Sequence, residues 1–208
     1  MPSDPSVSRV VQMLLSPAQL KARTALIEAA IELATGGGYD AVSMPEVAKR
    51  AGMSTAKAYQ HIGSKDQLLF EALLTLGDRS AVGVAENQPA GETPADRLIE
   101  VLSRIMGQVA QRPLLYRAVY RAYIASAPAI DGAASISGLG PERAVWIARA
   151  LQAGNTVGFT DDALDAAARV ISLTFQGAMV SVAAGRDVEE VAAQLEESVR
   201  LLLPLKGV

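Results

Sequence analysis

Between residues 43 and 65 the chain reads as two short helices joined through one glycine, with a third helix starting directly after a second glycine. Ser43-Met44-Pro45-Glu46 opens the first. Ser43 can cap it, Glu46 stands three residues on as a capping box requires, and proline is tolerated in a first turn whose N–H lacks a helical partner. This helix ends near Ala51, and Gly52 is the turn. Ser54 caps a helix of about Thr55 to Ile62, and Gly63 ends it. Ser64-Lys65-Asp66-Gln67 is a second capping box, opening a long helix with an apolar stripe of Leu68, Leu69, Ala72, Leu73 and Leu76.

The rest of the chain also reads as helical. Met1 to Pro17 holds three prolines and several serines and is expected to be an arm, with a short helical turn at Val10 to Leu15. Leu20, Ala25, Leu26, Ala29, Ala30 and Leu33 fall at helical spacing over Ala18 to Thr35, and Gly36-Gly37-Gly38 stops that helix. A proline-containing bend at Glu86 to Pro94 precedes helices to about Gln111 and, from Pro113, to about Ser126. Pro128 to Gly140 is expected to be a loop, and Pro141 to Ala153 a helix containing Trp146. Thr160 caps a long segment to about Gly185, and Asp187 to Leu203 is the last helix. No strand-like alternation of convincing length occurs, so the expected fold class is all-α, without internal repeats.

Composition removes several classes of function. The absence of cysteine excludes disulfides, thiolate metal sites and cysteine nucleophiles, and suits a cytoplasmic location. A single histidine, His61, makes a His-based zinc site or a Ser-His-Asp triad improbable. No glycine-rich phosphate loop or metal spacing is found, so neither cofactor nor enzyme activity is implied. No stretch reads as long and apolar enough to span a bilayer, which takes about 20 residues, so no membrane partner is expected. Net charge is −3, yet Val47 to Lys65 contains Lys49, Arg50, Lys57 and Lys65 and no acid. Such a patch can meet phosphates; it is also what a solvated basic helix face looks like.

In a DNA-binding helix-turn-helix the second helix enters the major groove and its early residues reach base edges. Ser54, Thr55, Ala56 and Lys57 are small or polar enough to do so, and Met44, Val47, Ala48 and Ala51 supply the inner face of the first helix. Ser43, Tyr59, His61 and Lys65 are candidate phosphate contacts, two of them beside helix N-termini whose free N–H groups favour anions. The same pattern also fits an ordinary helical hairpin within a bundle.

The segments Thr24 to Ala30, Gly38 to Met44, Val47-Ala48, Ala51 to Ser54, Tyr59 and Ser64 to Leu69 together resemble the TetR family of repressors, in register over about Thr24 to Leu74. The resemblance implies a three-helix head at residues 18–64 and a variable ligand-binding and dimerisation domain at 65–208. It implies a homodimer whose two heads read a palindromic operator in double-stranded DNA and release it on ligand binding. It places Ser43, Tyr59 and Lys65 at phosphates, His61 near the backbone, and Ser54, Thr55 and Lys57 at bases or nearby phosphates. Ile62-Gly63 replaces a common Phe-Pro pair and Ala58 a common leucine, which alters packing under the recognition helix. Gln111 to Leu115 followed by Tyr120-Arg121-Ala122-Tyr123 is similar to actinobacterial repressors of steroid catabolism, which respond to sterol acyl-CoA metabolites.

A pocket for a small apolar effector needs apolar walls with few polar anchors. Leu102, Met106, Leu115, Val119, Tyr120, Tyr123, Trp146, Phe175 and Met179 are the candidate lining, and each also reads as plain core packing. Ala163 to Ala184 is small or apolar on several faces, as befits a helix buried against its own subunit and a symmetric partner, or a wholly internal one. Two other functional readings remain: a helical lipid-binding protein or enzyme with a non-functional head, and an activator or architectural DNA binder.

Overall fold

The computed structural model describes residues 16–126 and 145–204. Among these residues there are nine helices and no strand: α1 (Pro17–Ala41), α2 (Met44–Arg50), α3 (Thr55–His61), α4 (Lys65–Glu86), α5 (Pro94–Gln111), α6 (Pro113–Ser126), α7 (Val145–Gln152), α8 (Asp161–Ala183) and α9 (Val188–Leu202). The expected turn at Val10 to Leu15, the loop from Pro128 to Gly140 and the start of the Trp146 helix lie outside the described residues.

The chain divides into two compact units. The first runs to Gly77 and takes in α6; the second holds Asp78 to Gln111 and everything from α7 onward. Packing therefore groups α6 with α1, whereas the expected boundary at residue 64 divides the chain by role.

In the first unit, α1 starts one residue before the expected Ala18. Ser16 accepts the Gln19 N–H and the Gln19 side chain returns to the Ser16 N–H, a reciprocal box with proline at the first helical position. The regular helix breaks at Gly37 and Gly38. Gly38 has φ +68°, and a Cβ on Gly37 would lie 2.6 Å from that of Ala41, so the break suits glycine alone. Beyond it, Gly38 lies against Leu114 of α6. The core of this unit is built from buried Leu26, Ala30, Ala34, Val47, Ala48, Ala58, Ile62, Leu68 and Leu69. Ala58 and Ile62, two of the three positions that depart from the pattern the resemblance implies, are both buried, so the floor under α3 is filled by a small and a branched side chain.

The second unit packs α5, α7, α8 and α9 around Leu98, Val101, Leu102, Ile147, Leu151, Leu164, Ile171 and Val199, with Trp146 and Phe175 against that cluster. Arg97 on α5 is only 2% exposed. Its Nε donates to the Ala150 carbonyl, Nη2 to those of Leu151 and Asn155, and Nη1 to those of Gly91 and Glu92. The guanidinium thus caps the carbonyl end of α7, where the helix dipole favours a cation and where those carbonyls have no helical partner.

One expectation is corrected here. α8 is long and apolar enough by length and composition to cross a bilayer. Asp161, Asp162, Asp165 and Arg169 all lie in its first half. One face buries Leu164, Ala168, Ile171, Met179 and Val182, as a helix in a packed bundle does.

Candidate nucleic-acid interface

The helix-turn-helix is set by its termini. Ser43 accepts the Glu46 N–H at 3.4 Å, and Ser54 accepts the Lys57 N–H at 3.3 Å. Between them Met53 N–H bonds to the Ala48 carbonyl and Gly52 N–H to that of Lys49, with Gly52 at φ +70°. This pair of bonds with a left-handed residue ends α2 in the minimum number of residues. Val47 and Ala48 on α2 and Ala58 on α3 are then buried. The outward face of α3 consists of Ala56, Lys57, Tyr59 and Gln60.

The expected contact residues are exposed or half-buried. Ser43 and Ser54 are exposed N-caps, Thr55 is half-buried at the start of α3, and Lys57 is exposed. Tyr59 is 50% exposed. His61, at the last turn of α3, is half-buried, and its carbonyl accepts from Arg23 Nη1. Arg23 Nη2 also pairs with Glu71 of α4, so one α1 side chain ties α3 and α4 together. Burial pushes the Glu71 carboxyl above its ordinary pKa, against the pull of Arg23.

Lys65 is placed differently from a free surface lysine. Its Nζ lies 3.6 Å from the Tyr39 ring centroid. Partial burial lowers its pKa, opposed by Asp40 and Asp66. Ser64 caps α4 by accepting the Gln67 N–H at 3.1 Å, while the Gln67 side chain accepts from the Gly63 N–H, one residue earlier than a capping box predicts. The basic patch is also weaker than its count of cations. Arg50 pairs with Glu32 of α1 at 3.0 Å, a partner outside the segment from which the charge was summed.

The candidate effector residues fall into two groups. Leu115, Val119 and Tyr120 are buried and Tyr123 half-buried on α6 in the first unit; Tyr123 stacks on Phe70 and meets Tyr120 edge-on. Leu102, Met106 and Met179 are buried in the second unit, where half-buried Trp146 and Phe175 meet edge-on at 5.7 Å. Gln60, Tyr39 and Arg23 were not among the expected residues. Gln60 had a local signal, since it lies one turn beyond Ala56 and Lys57 on the same face.

Comparison with known proteins agrees with this geometry. Residues 26–72, which span α2, α3 and the first turns of α4, match the family described as bacterial regulatory proteins, tetR family. Over 192 residues the chain is 35% identical to the HTH-type transcriptional repressor KstR of Rhodococcus jostii (strain RHA1), covering 91% of this chain and 86% of that one. It is 29% identical over 188 residues to the repressor of the same name from Mycolicibacterium smegmatis, covering 90% of each. A crystal structure of a TetR transcriptional regulator from Rhodococcus sp. RHA1 superposes with a TM-score of 0.68 at 26% identity, covering 91% of this chain and all of that one. These relatives are regulators rather than enzymes. The chain belongs to the TetR family of bacterial transcriptional regulators, DNA-binding proteins with an N-terminal helix-turn-helix.

Proposed function

We propose that this protein is a cytoplasmic, ligand-responsive repressor that binds a palindromic operator as a homodimer and is released by a small apolar effector. The carrying observation is the outward face of α3. A seven-residue helix, capped by Ser54 and backed by buried Ala58, presents Lys57, Tyr59 and Gln60 to solvent. Lysine and glutamine both pair with base edges in the major groove, and a tyrosine hydroxyl suits a phosphate. Ser43, Ser54, Thr55, His61 and Lys65 complete the proposed contact set.

A homodimer is supported by the uncovered side of α8. Ala163, Ala166, Val170, Leu173 and Gly177 are exposed at alternating spacings of three and four, the seam of two packed helices. Leu173 is 69% exposed, as is 74% of Leu201 on α9. A second copy would cover this stripe and pair two recognition helices. The effector is proposed to be an acyl-CoA of steroid or lipid type, from the likeness of the α6 segment noted above. It acts by preferring a dimer with altered head separation, and it lowers DNA affinity by no more than that preference.

Selection from random DNA tests the first part. The expected product is an inverted repeat whose half-site centres lie about 34–36 Å apart or a multiple of that. Adding a steroid-type acyl-CoA to the complex should then release the DNA. Selected sites without symmetry would overturn the dimer reading, and symmetric sites indifferent to every acyl-CoA would overturn the effector. If no sequence is enriched, the protein is a helical ligand-binding protein with a silent head.

A further inference from the structure

We propose that Arg121 is a positioning residue for DNA binding: it fixes the Tyr39 ring that seats the Lys65 ammonium. The proposal rests on the phosphate-contact role given above to Lys65.

Tyr39 is tied twice to the first turn of α4. Lys65 Nζ lies 3.6 Å from its ring centroid, and its hydroxyl donates to Asp66 Oδ1 at 2.6 Å. The ring is therefore a platform for α4 rather than a core side chain. Its own base is the glycine break: Tyr39 follows Gly38, whose φ of +68° aims the end of α1 toward α6.

Arg121 reaches this platform from α6. Its guanidinium carbon lies 4.0 Å from the same ring centroid, and Nη1 lies 3.9 Å from Asp40 Oδ1, on the next residue of α1. Arg121 thus touches two successive residues directly after the kink at Gly37 and Gly38, where α1 departs from helical backbone angles. Aromatic rings attract cations over their faces, so one ring can hold both side chains although their charges repel. Asp40 and Asp66 offset that repulsion. A lysine otherwise swings on a four-carbon stem, and a pre-seated one loses less freedom on meeting a phosphate.

Arg121 acts through Tyr39 rather than on DNA. Its guanidinium is shared between a ring and a carboxylate, and Asp40, almost fully exposed, repels an approaching phosphate. Salt dependence separates the two roles, because each phosphate contact contributes about 0.9 to the slope of log affinity against log salt.

The experiment is fluorescence anisotropy of the full-length protein on labelled DNA from upstream of its own gene, across a salt series. The variants are Lys65→Ala, Arg121→Ala, Arg121→Lys and the double variant Lys65→Ala with Arg121→Ala. Lys65→Ala should lower the slope by about 0.9. Arg121→Ala should weaken binding about threefold with the wild-type slope, as befits one exposed cation–aromatic contact. Arg121→Lys should recover most of that loss, and Arg121→Ala should add nothing once Lys65 is gone. A slope lowered by Arg121→Ala would make Arg121 a phosphate contact and overturn the proposal. Equal losses in both backgrounds, or no loss, would overturn it too. An unchanged slope in Lys65→Ala is a separate result, which removes the phosphate role of Lys65 itself. Arg121 is mostly exposed, so melting temperatures matching that of wild type are expected for Arg121→Ala and Arg121→Lys.

Discussion

In the first unit short helices α2 and α3 pack through Val47, Ala48 and Ala58 onto a core that also holds Leu26, Ile62, Leu68 and Leu69, and charged or polar clamps connect the helices: Arg23 to α3 and α4, Tyr39 to α4, Arg121 to Tyr39. In the second unit four packed helices close over leucine, isoleucine, valine and alanine, and one buried arginine ties α5 to the end of α7. The difference follows from what each surface is asked to do. A recognition helix must keep its outer face polar and its length short, so it has little apolar area with which to hold itself. Clamps from neighbouring helices supply orientation instead. The second unit has no such constraint and can rely on burial.

The contrast can be broken at its strongest point first. Arg97→Met should cost about 3 kcal/mol or more in the second unit, because several buried carbonyls lose a charged donor at once. Thermal melting followed by circular dichroism should show an early transition. Loss below about 1 kcal/mol would mean that the α7 end finds other donors.

A smaller effect is expected from Arg23→Ala, about 2 kcal/mol, because its two bonds are only partly buried. Its signature is selective: operator affinity should fall more than stability does, since α3 loses its tether to α1. Equal falls would mean that Arg23 only stabilises the unit. The pH dependence is smaller still. Burial raises the Glu71 pKa in the folded state, so folding favours its protonated form. Its contribution to stability is greatest at pH below the ordinary glutamate value and declines as pH rises through the raised one. Glu71→Gln should remove that decline from a stability–pH profile; a profile that rises over the same interval would contradict the sign.

The helix order was legible because its signals are local. Ser43, Ser54, Ser64, Thr160 and Asp187 each stand three residues before a backbone N–H that they accept, and Gly52 sits where α2 must stop. Ser16 carried the same signal, Ser-Pro-Ala-Gln, but lay beside a proline-rich stretch that reads as an arm. The exposed face of α3 was legible except for Gln60. The clamps were not, because nothing near Arg23 in sequence points to His61 or Glu71, and nothing near Tyr39 points to Arg121. The charge of the basic segment misled for the same reason: Glu32, which pairs with Arg50, belongs to α1. The candidate effector residues were legible as apolar helix faces, but periodicity alone did not divide them between two packing units.

The central claim is that the outer face of α3 reads sequence. The most direct test measures the affinity of wild type and of Lys57→Ala for DNA from upstream of the protein's own gene and for a scrambled duplex at one fixed salt concentration. Wild type should prefer the native fragment strongly. Lys57→Ala should lose about 1–3 kcal/mol of that preference while binding the scramble nearly as before. A variant that keeps the full preference, or a wild type that has none, would contradict the assignment of α3 as the recognition helix.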